Sequence, residues 1–191
     1  MTGPVGQPLV ARAEAFARPF YAAPDRAYHD AAHVQQMLGA PASRGVLTPA
    51  LRLAAWGHDL ISDPQAGNNE ARSADVFGKW LRAEDADPGL LRGVRALILV
   101  TQHTYPPSTR VEALLADADL GILGSDPQVF AAYDAAIRRE YAFVPEAAYR
   151  AGRAQVLRTF LSRERLYWTP EFAGLEAQAR ANLSAAAQRL E

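Results

Sequence analysis

The residues best suited to chemistry in this chain are its histidines, of which there are four: His29, His33, His58 and His103. His58 is followed directly by Asp59, at the end of the apolar stretch 51–57. An apolar segment normally buries its neighbours, and a buried carboxylate without a partner is costly in free energy. A bound cation would offset that cost, although for such a pair standing alone a core histidine or a helix-capping aspartate is the commoner explanation.

Two further segments supply side chains that can bind a metal. His29 and His33 are four residues apart, a spacing that puts both on one face of a helix. Asp117 and Asp119 lie in an apolar run and, being two residues apart, cannot both point the same way from a helix. Together these segments offer a four-ligand set of nitrogen and oxygen donors. The set consists of a histidine, a His-Asp pair and a later aspartate, all in apolar helices.

Composition narrows the classes of protein that these residues can serve. The chain has 191 residues, which suits one domain with a sizeable core, and we expect a single domain over residues 1–191. Its formal net charge is −1 with both signs interspersed, which argues against long nucleic acid or an anionic membrane as a partner. Because the chain has no cysteine, thiolate chemistry and cysteine-based zinc sites are excluded, and a metal would bind histidine and carboxylate.

The first 20 residues lack the basic and apolar pattern of a signal peptide, and no apolar stretch approaches the roughly 20 residues that a membrane span needs. We therefore expect a cytoplasmic protein. Monomer and homo-oligomer both stay open.

Apolar spacing and proline-marked starts predict an all-α fold, a single-domain helical bundle. No segment keeps the two-residue period of a strand for more than a few residues. The third helix is expected to follow the cap Thr48, with Pro49 as its first residue. Both His29 and His33 are assigned to the second helix. The predicted helices cover about 9–20, 29–38, 49–60, 69–80, 88–103, 111–123, 127–141, 145–161 and 170–190.

The order of these residues resembles the HD-domain superfamily of metal-dependent phosphohydrolases, named for its His-Asp dipeptide. The dipeptide alone is a weak signal, whereas the ordered set across four helices is a specific one. Further segments are similar to one bacterial branch of predicted phosphohydrolases and extend the resemblance over most of the chain: Tyr28-His29 before His33, Asn69-Glu70 with Ser73, Asp117-Ala118-Asp119-Leu120, Arg139-Glu140-Tyr141, and Tyr149-Arg150-Ala151-Gly152-Arg153.

The resemblance implies four metal ligands, which are His33, His58, Asp59 and Asp119. It favours Asp119 over Asp117 because the ligand of the family lies in an Ala-Asp pair closely followed by Leu; Asp117 then lies behind the site or faces solvent. Members with two metals need additional histidines, so we expect one divalent ion. Manganese, iron, cobalt and zinc suit these donors, and magnesium suits them less well.

Roles for further residues are expectations of the same kind. Glu70 is a candidate to orient or deprotonate water, and His103 to donate a proton to the leaving oxygen or contact phosphate. Each also has an ordinary explanation, as a helix first-turn acid and a helix-end histidine. Four more residues are candidates for binding substrate: His29, Asn69, Arg72 and Arg153. Arg26 is a weaker candidate phosphate ligand.

The predicted function is hydrolysis of a phosphate ester or anhydride in a small phosphorylated substrate, for which the family suggests nucleotides, including guanosine polyphosphates. Glycine-rich phosphate loops and serine-hydrolase elbows are absent from the sequence. Two alternatives stay open. One is an HD-type oxygenase with two irons, and the other is a non-catalytic helical module that binds a metal for stability or sensing.

Overall fold

A computed structural model describes residues 8–190, and within that range the chain folds into nine α-helices without a β-strand. The all-α prediction is confirmed. Short 3₁₀ turns lie at Phe20–Ala22, Leu120–Gly124 and Ala173–Leu175. The helices are α1 Leu9–Ala17, α2 Ala31–Ser43, α3 Pro49–Gly57, α4 Asn69–Ala83, α5 Pro88–Val100, α6 Arg110–Asp119, α7 Pro127–Glu140, α8 Glu146–Leu161 and α9 Glu176–Leu190.

Three helices begin at the positions that a capping residue followed by proline predicts. The Oγ1 atom of Thr48 accepts a hydrogen bond from the N–H of Leu51, and Pro49 opens α3. Asp87 and Asp126 cap α5 and α7 in the same way, each followed by proline. Proline at this position removes no hydrogen bond, because the first N–H groups of a helix have no partner within the helix.

Helix α3 lies at the centre of the fold, in contact with α1, α2, α4, α5 and α6. Six of its nine residues are buried, ending with Trp56 and Gly57. A Cβ atom on Gly57 would lie 2.5 Å from Cδ1 of Phe77 and 2.9 Å from Cδ1 of Ile98. Glycine therefore lets the end of α3 approach α4 and α5 closely, and the residues that follow it enter the interior. Buried apolar residues from all nine helices join one hydrophobic cluster.

The second helix differs from its prediction at both ends. It starts at Ala31 instead of His29, because the Oδ1 atom of Asp30 accepts hydrogen bonds from the N–H groups of Ala32 and His33. It also continues through Pro41 to Ser43, although the sequence suggested a stop there. His29 and His33 are therefore not on one helix, and the prediction that they share a face was wrong.

The ends of several other helices also differ from their predicted positions. Helix α3 ends at Gly57, so His58 and Asp59 follow the helix. Helix α6 is capped by Thr109 and ends at Asp119. The last helix begins at Glu176 instead of position 170. None of the helices within residues 8–190 combines the length and apolarity that crossing a membrane takes.

Candidate metal centre

Three helices bring candidate ligands to one point in the interior. His33 lies in the first turn of α2, His58 directly follows α3, and Asp119 is the last residue of α6. These three helices contact one another pairwise. Residues that are 25 and 61 positions apart along the chain thus become neighbours, and we call His33, His58 and Asp119 the ligand cluster.

The distances within the ligand cluster suit one shared cation. Nε2 of His33 lies 3.2 Å from Nε2 of His58 and 3.2 Å from Oδ1 of Asp119. Nε2 of His58 lies 3.8 Å from the same carboxylate oxygen. Ligand atoms about 2.1 Å from one ion, at angles between octahedral and tetrahedral, are about 3.0 to 3.4 Å apart. Side chains of His33 and His58 are only 3% and 1% exposed, so few other partners can reach these nitrogens.

A backbone hydrogen bond fixes the orientation of His58. Its Nδ1–H donates to the carbonyl oxygen of Ala55 at 2.9 Å, which directs Nε2 toward the ligand cluster. Metal-binding histidines are commonly oriented by a hydrogen bond of this kind from the nitrogen that does not bind the ion.

Asp59 does not join the other three predicted ligands. Its Oδ2 atom lies 3.0 Å from Nε2 of His58, but among the described residues the atoms that converge are those of His33, His58 and Asp119. Its backbone is held in place, because its N–H donates to the hydroxyl oxygen of Tyr21 and its carbonyl accepts from Arg26. The structure therefore brings together three of the four predicted ligands, and the fourth contacts the cluster through His58.

His103 adds a third imidazole on the other side of Asp119. Its Nε2 atom lies 2.8 Å from Oδ2 of Asp119, while Oδ1 faces His33 and His58. The backbone of His103 has φ +51°, a left-handed conformation uncommon outside glycine, and its carbonyl accepts a hydrogen bond from Arg163. His103 and Glu70, the two residues predicted to be catalytic, line the same cleft of about 880 Å³.

Charge and burial set the protonation of the ligand cluster. Burial alone would lower the pKa of His58, but the charge and hydrogen bond of Asp59 and the charge of Asp119 outweigh it and raise the pKa to about 9. Burial lowers the pKa of His33. Burial would raise the pKa of Asp119, yet hydrogen bonds with His103 and His33 hold it well below its usual range. At neutral pH His58 is therefore protonated, and it must release that proton to bind a cation.

His29 does not reach the ligand cluster and instead pairs with Glu140 at the end of α7. Its Nδ1 atom lies 2.6 Å from Oε2 of Glu140. The other carboxylate oxygen of Glu140 accepts the backbone N–H groups of Ala27, Tyr28 and His29 at 2.8, 2.7 and 2.9 Å. Glu140 thus fixes the segment that leads into α2 and His33. Glu140 belongs to the sequence motifs that carry the family resemblance, but no local signal in the sequence predicts this contact.

Asp117 has a structural role, and the expectation that it lies behind the site or faces solvent was wrong. Its side chain is fully buried. Its two oxygens accept hydrogen bonds from the N–H of Trp168 at 2.8 Å, and from the N–H and Oγ1 of Thr169 at 2.8 and 2.6 Å. It holds the irregular segment between α8 and α9 against α6.

The remaining predicted substrate ligands have partners of their own. The side-chain amide of Asn69 exchanges two hydrogen bonds with the backbone of Asp63, and the half-exposed Arg72 lies 3.7 Å from the carboxylate of the same residue. Arg153 donates from Nε and Nη2 to Oδ1 of Asp134. Arg26 binds the backbone carbonyls of positions 29, 59 and 60. Two cavities of about 270 and 280 Å³ are lined by members of the ligand cluster, and among the described residues Asn69, Arg72 and Arg153 do not belong to the lining of either one.

Comparison with known proteins adds no relative to this description. No protein-family model matches the chain, and no curated protein and no solved structure matches it either. The resemblance to the HD-domain superfamily stays a prediction from sequence motifs, whereas the ligand cluster is a group of buried side chains that could hold a metal ion.

Proposed function

We propose that the protein binds one divalent cation at His33, His58 and Asp119, and that it hydrolyses a phosphate ester or anhydride of a small, nucleotide-like molecule. The observation that carries the proposal is the convergence of two buried imidazole nitrogens and a carboxylate oxygen within 4.8 Å of one another. In the structure these groups pair with one another, with the protonated His58 facing the carboxylates of Asp59 and Asp119, and a divalent cation would take the place of that proton. A cation is the ligand that fits their lone pairs.

The donor set fits a metal of intermediate softness, such as manganese, iron, cobalt or zinc. Three protein ligands, with Asp59 close by, leave coordination positions for water and substrate, as catalytic sites require. When bound, such an ion would lower the pKa of water and polarise a phosphoryl oxygen.

In this proposal Glu70 accepts a proton from the attacking water, whose oxygen forms a new bond to phosphorus. The bond between phosphorus and the leaving oxygen breaks, and His103 donates a proton to that oxygen. Two observations support these roles: both side chains line one cleft, and the hydrogen bond of His103 to Asp119 connects that cleft with the ligand cluster.

Two observations favour one metal over the two irons of an oxygenase. Within residues 8–190, the histidines and carboxylates converge in one group that could hold a metal. The two remaining histidines have partners of their own, since His29 pairs with Glu140 and His103 with the second oxygen of Asp119.

The experiment is a turnover screen with purified protein and manganese, using nucleoside mono-, di- and triphosphates and guanosine polyphosphates. We expect release of phosphate or pyrophosphate from at least one compound, and we expect His58→Ala to abolish it with the helical circular dichroism kept. Asp119→Asn should do the same, while Asp75→Asn, the same change at an exposed ion pair with Arg95, should not. If manganese binds, none of the compounds is turned over and His58→Ala only lowers the melting temperature, the protein is a metal-binding module instead.

A further inference from the structure

Beside the ligand cluster lies a polar group that the roles above do not use. The hydroxyl oxygen of Tyr28 is buried and makes no hydrogen bond. A buried hydroxyl without a partner costs about 1 to 3 kcal/mol, so native proteins seldom keep one without a reason. The ring of Tyr28 is held firmly, because it packs edge-on against Tyr133 and His29 at centroid distances of 4.6 and 5.0 Å. Its backbone N–H is bound by Glu140.

Tyr28 shares a cavity with two of the three candidate ligands. A space of about 270 Å³ is lined by Tyr28, His33 and Asp119, and also by Arg44, whose guanidinium donates hydrogen bonds to the backbone carbonyls of positions 40 and 171. The ring of Tyr28 lies 4.8 Å from the imidazole of His33, measured between centroids. The cavity is therefore lined by a tyrosine whose hydroxyl has no partner, a cationic side chain and two side chains of the ligand cluster.

The charges nearby decide what kind of ligand the hydroxyl can meet. Tyrosine is protonated at neutral pH, so the hydroxyl is a donor and favours an oxygen with negative charge. The carboxylates of Asp119 and Asp59 act on Tyr28 electrostatically and would repel a free anion. An anion enters such a space only when a cation at the ligand cluster offsets those charges.

We propose that the hydroxyl of Tyr28 donates a hydrogen bond to a phosphoryl oxygen of a ligand bound in this cavity, next to a cation at the ligand cluster. The inference rests on the proposed function, since it needs the cation, and it adds a substrate-binding role for Tyr28, which the sequence motifs included without a role of its own. Because the hydroxyl has no protein partner, its hydrogen bond would favour a ligand with a negatively charged oxygen over one with a neutral oxygen.

The test is a calorimetric titration with two probes, manganese alone and then inorganic phosphate added to the manganese-loaded protein. We expect Tyr28→Phe to bind manganese within about twofold of the wild type and to bind phosphate about tenfold more weakly, as loss of a hydrogen bond to a charged group implies. Tyr133→Phe is the matched control. It removes the same atom from the adjacent ring, where the hydroxyl hydrogen-bonds with Arg153, and phosphate affinity should not change.

Four results would overturn the inference. Equal phosphate affinity in the wild type and Tyr28→Phe, or no phosphate binding by the wild type, refutes the role of Tyr28 and leaves the metal centre standing. Equal weakening by both variants shows that the effect comes from looser packing of the two rings. Absence of manganese binding in the wild type refutes the metal centre and the role of Tyr28 together.

Discussion

Helix α6 carries two carboxylates two residues apart, one buried and one partly buried, and they serve different regions of the molecule. The oxygens of Asp117 accept hydrogen bonds from the backbone N–H groups of Trp168 and Thr169 and from the hydroxyl group of Thr169. The oxygens of Asp119 face three imidazoles, those of His33, His58 and His103. Backbone N–H groups can only donate, whereas an imidazole that gives up its proton gains a lone pair that can bind a cation. The same residue type thus fixes a loop in one region and forms a candidate metal centre in the other.

Helix geometry separates the two carboxylates. Consecutive residues turn by about 100° around a helix axis, so side chains two positions apart point to nearly opposite sides. One side of α6 meets the segment before α9, and the other meets α2 and α3. A substitution at position 117 should therefore change stability, and one at position 119 should change ion binding.

The largest effect on stability is expected from Asp117→Ala. It leaves two backbone N–H groups and a hydroxyl without an acceptor in a buried place, which should lower the free energy of unfolding by about 3 to 5 kcal/mol. Urea denaturation measures the loss, and manganese should still bind the folded fraction with unchanged stoichiometry. A variant as stable as the wild type would show that Asp117 is not a structural residue.

Glu140→Gln tests a second structural carboxylate and should cost about 2 kcal/mol, since Glu140 binds three N–H groups and His29 through charged hydrogen bonds. Burial would raise the pKa of Glu140, but His29 and the backbone donors lower it to about 2. Its contribution is thus fully present above its ordinary pKa of 4.5 and is lost as the pH falls toward 2.

The contribution of His29 to stability has the opposite pH dependence, because it is lost as the pH rises. Burial would lower its pKa, but the hydrogen bond with Glu140 outweighs burial and raises it above the ordinary 6.5. Its contribution to the free energy of unfolding is fully present below pH 6.5, and it is lost as the pH rises through the pKa that His29 has in the folded protein. The stability difference between the wild type and Glu140→Gln should therefore be largest between pH 4.5 and 6.5, measured by urea denaturation across pH. A difference that does not change with pH would contradict the ion pair.

Gly57→Ala should cost about 1 to 3 kcal/mol, because the added methyl group would overlap the ring of Phe77. The strain arises one residue before His58, so we also expect weaker manganese binding than in the wild type. Gly78→Ala is the matched control, since a Cβ atom there meets nothing within 4 Å. Equal stability and equal ion affinity in both variants would show that α3 has room to shift at this point.

The last prediction concerns the effect of pH on ion affinity and needs no substitution. The pKa of His58 is raised to about 9, so binding a cation below that pH displaces a proton. Manganese affinity should therefore rise with pH by up to about tenfold per unit and level off near pH 9. Calorimetry in buffers of different ionisation enthalpy should detect the released proton. An affinity independent of pH between 6 and 9 would show that His58 is not a ligand.

Local signals in the sequence predicted much of the fold. The caps before Pro49, Pro88 and Pro127 mark helix starts that the structure contains, because capping depends on residues a few positions apart. The candidate ligands His33, His58 and Asp119 were predicted from their order, and the structure brings them together.

What the sequence could not predict depends on distant contacts or on a choice between neighbouring caps. Asp30 caps α2 and excludes His29 from it, although either residue fits a helix start. Glu140 binds the backbone at position 27, which is 113 residues away. The left-handed backbone of His103 also lacks a local signal such as glycine.

The most direct test of the central claim is the number of manganese ions bound by the wild type, Asp117→Asn and Asp119→Asn, measured by calorimetry at pH 8. We predict one ion per chain for the wild type and Asp117→Asn, and affinity at least about 100-fold weaker for Asp119→Asn. A wild type that binds no ion, or an Asp119→Asn variant that binds one as tightly as the wild type, would contradict the metal centre.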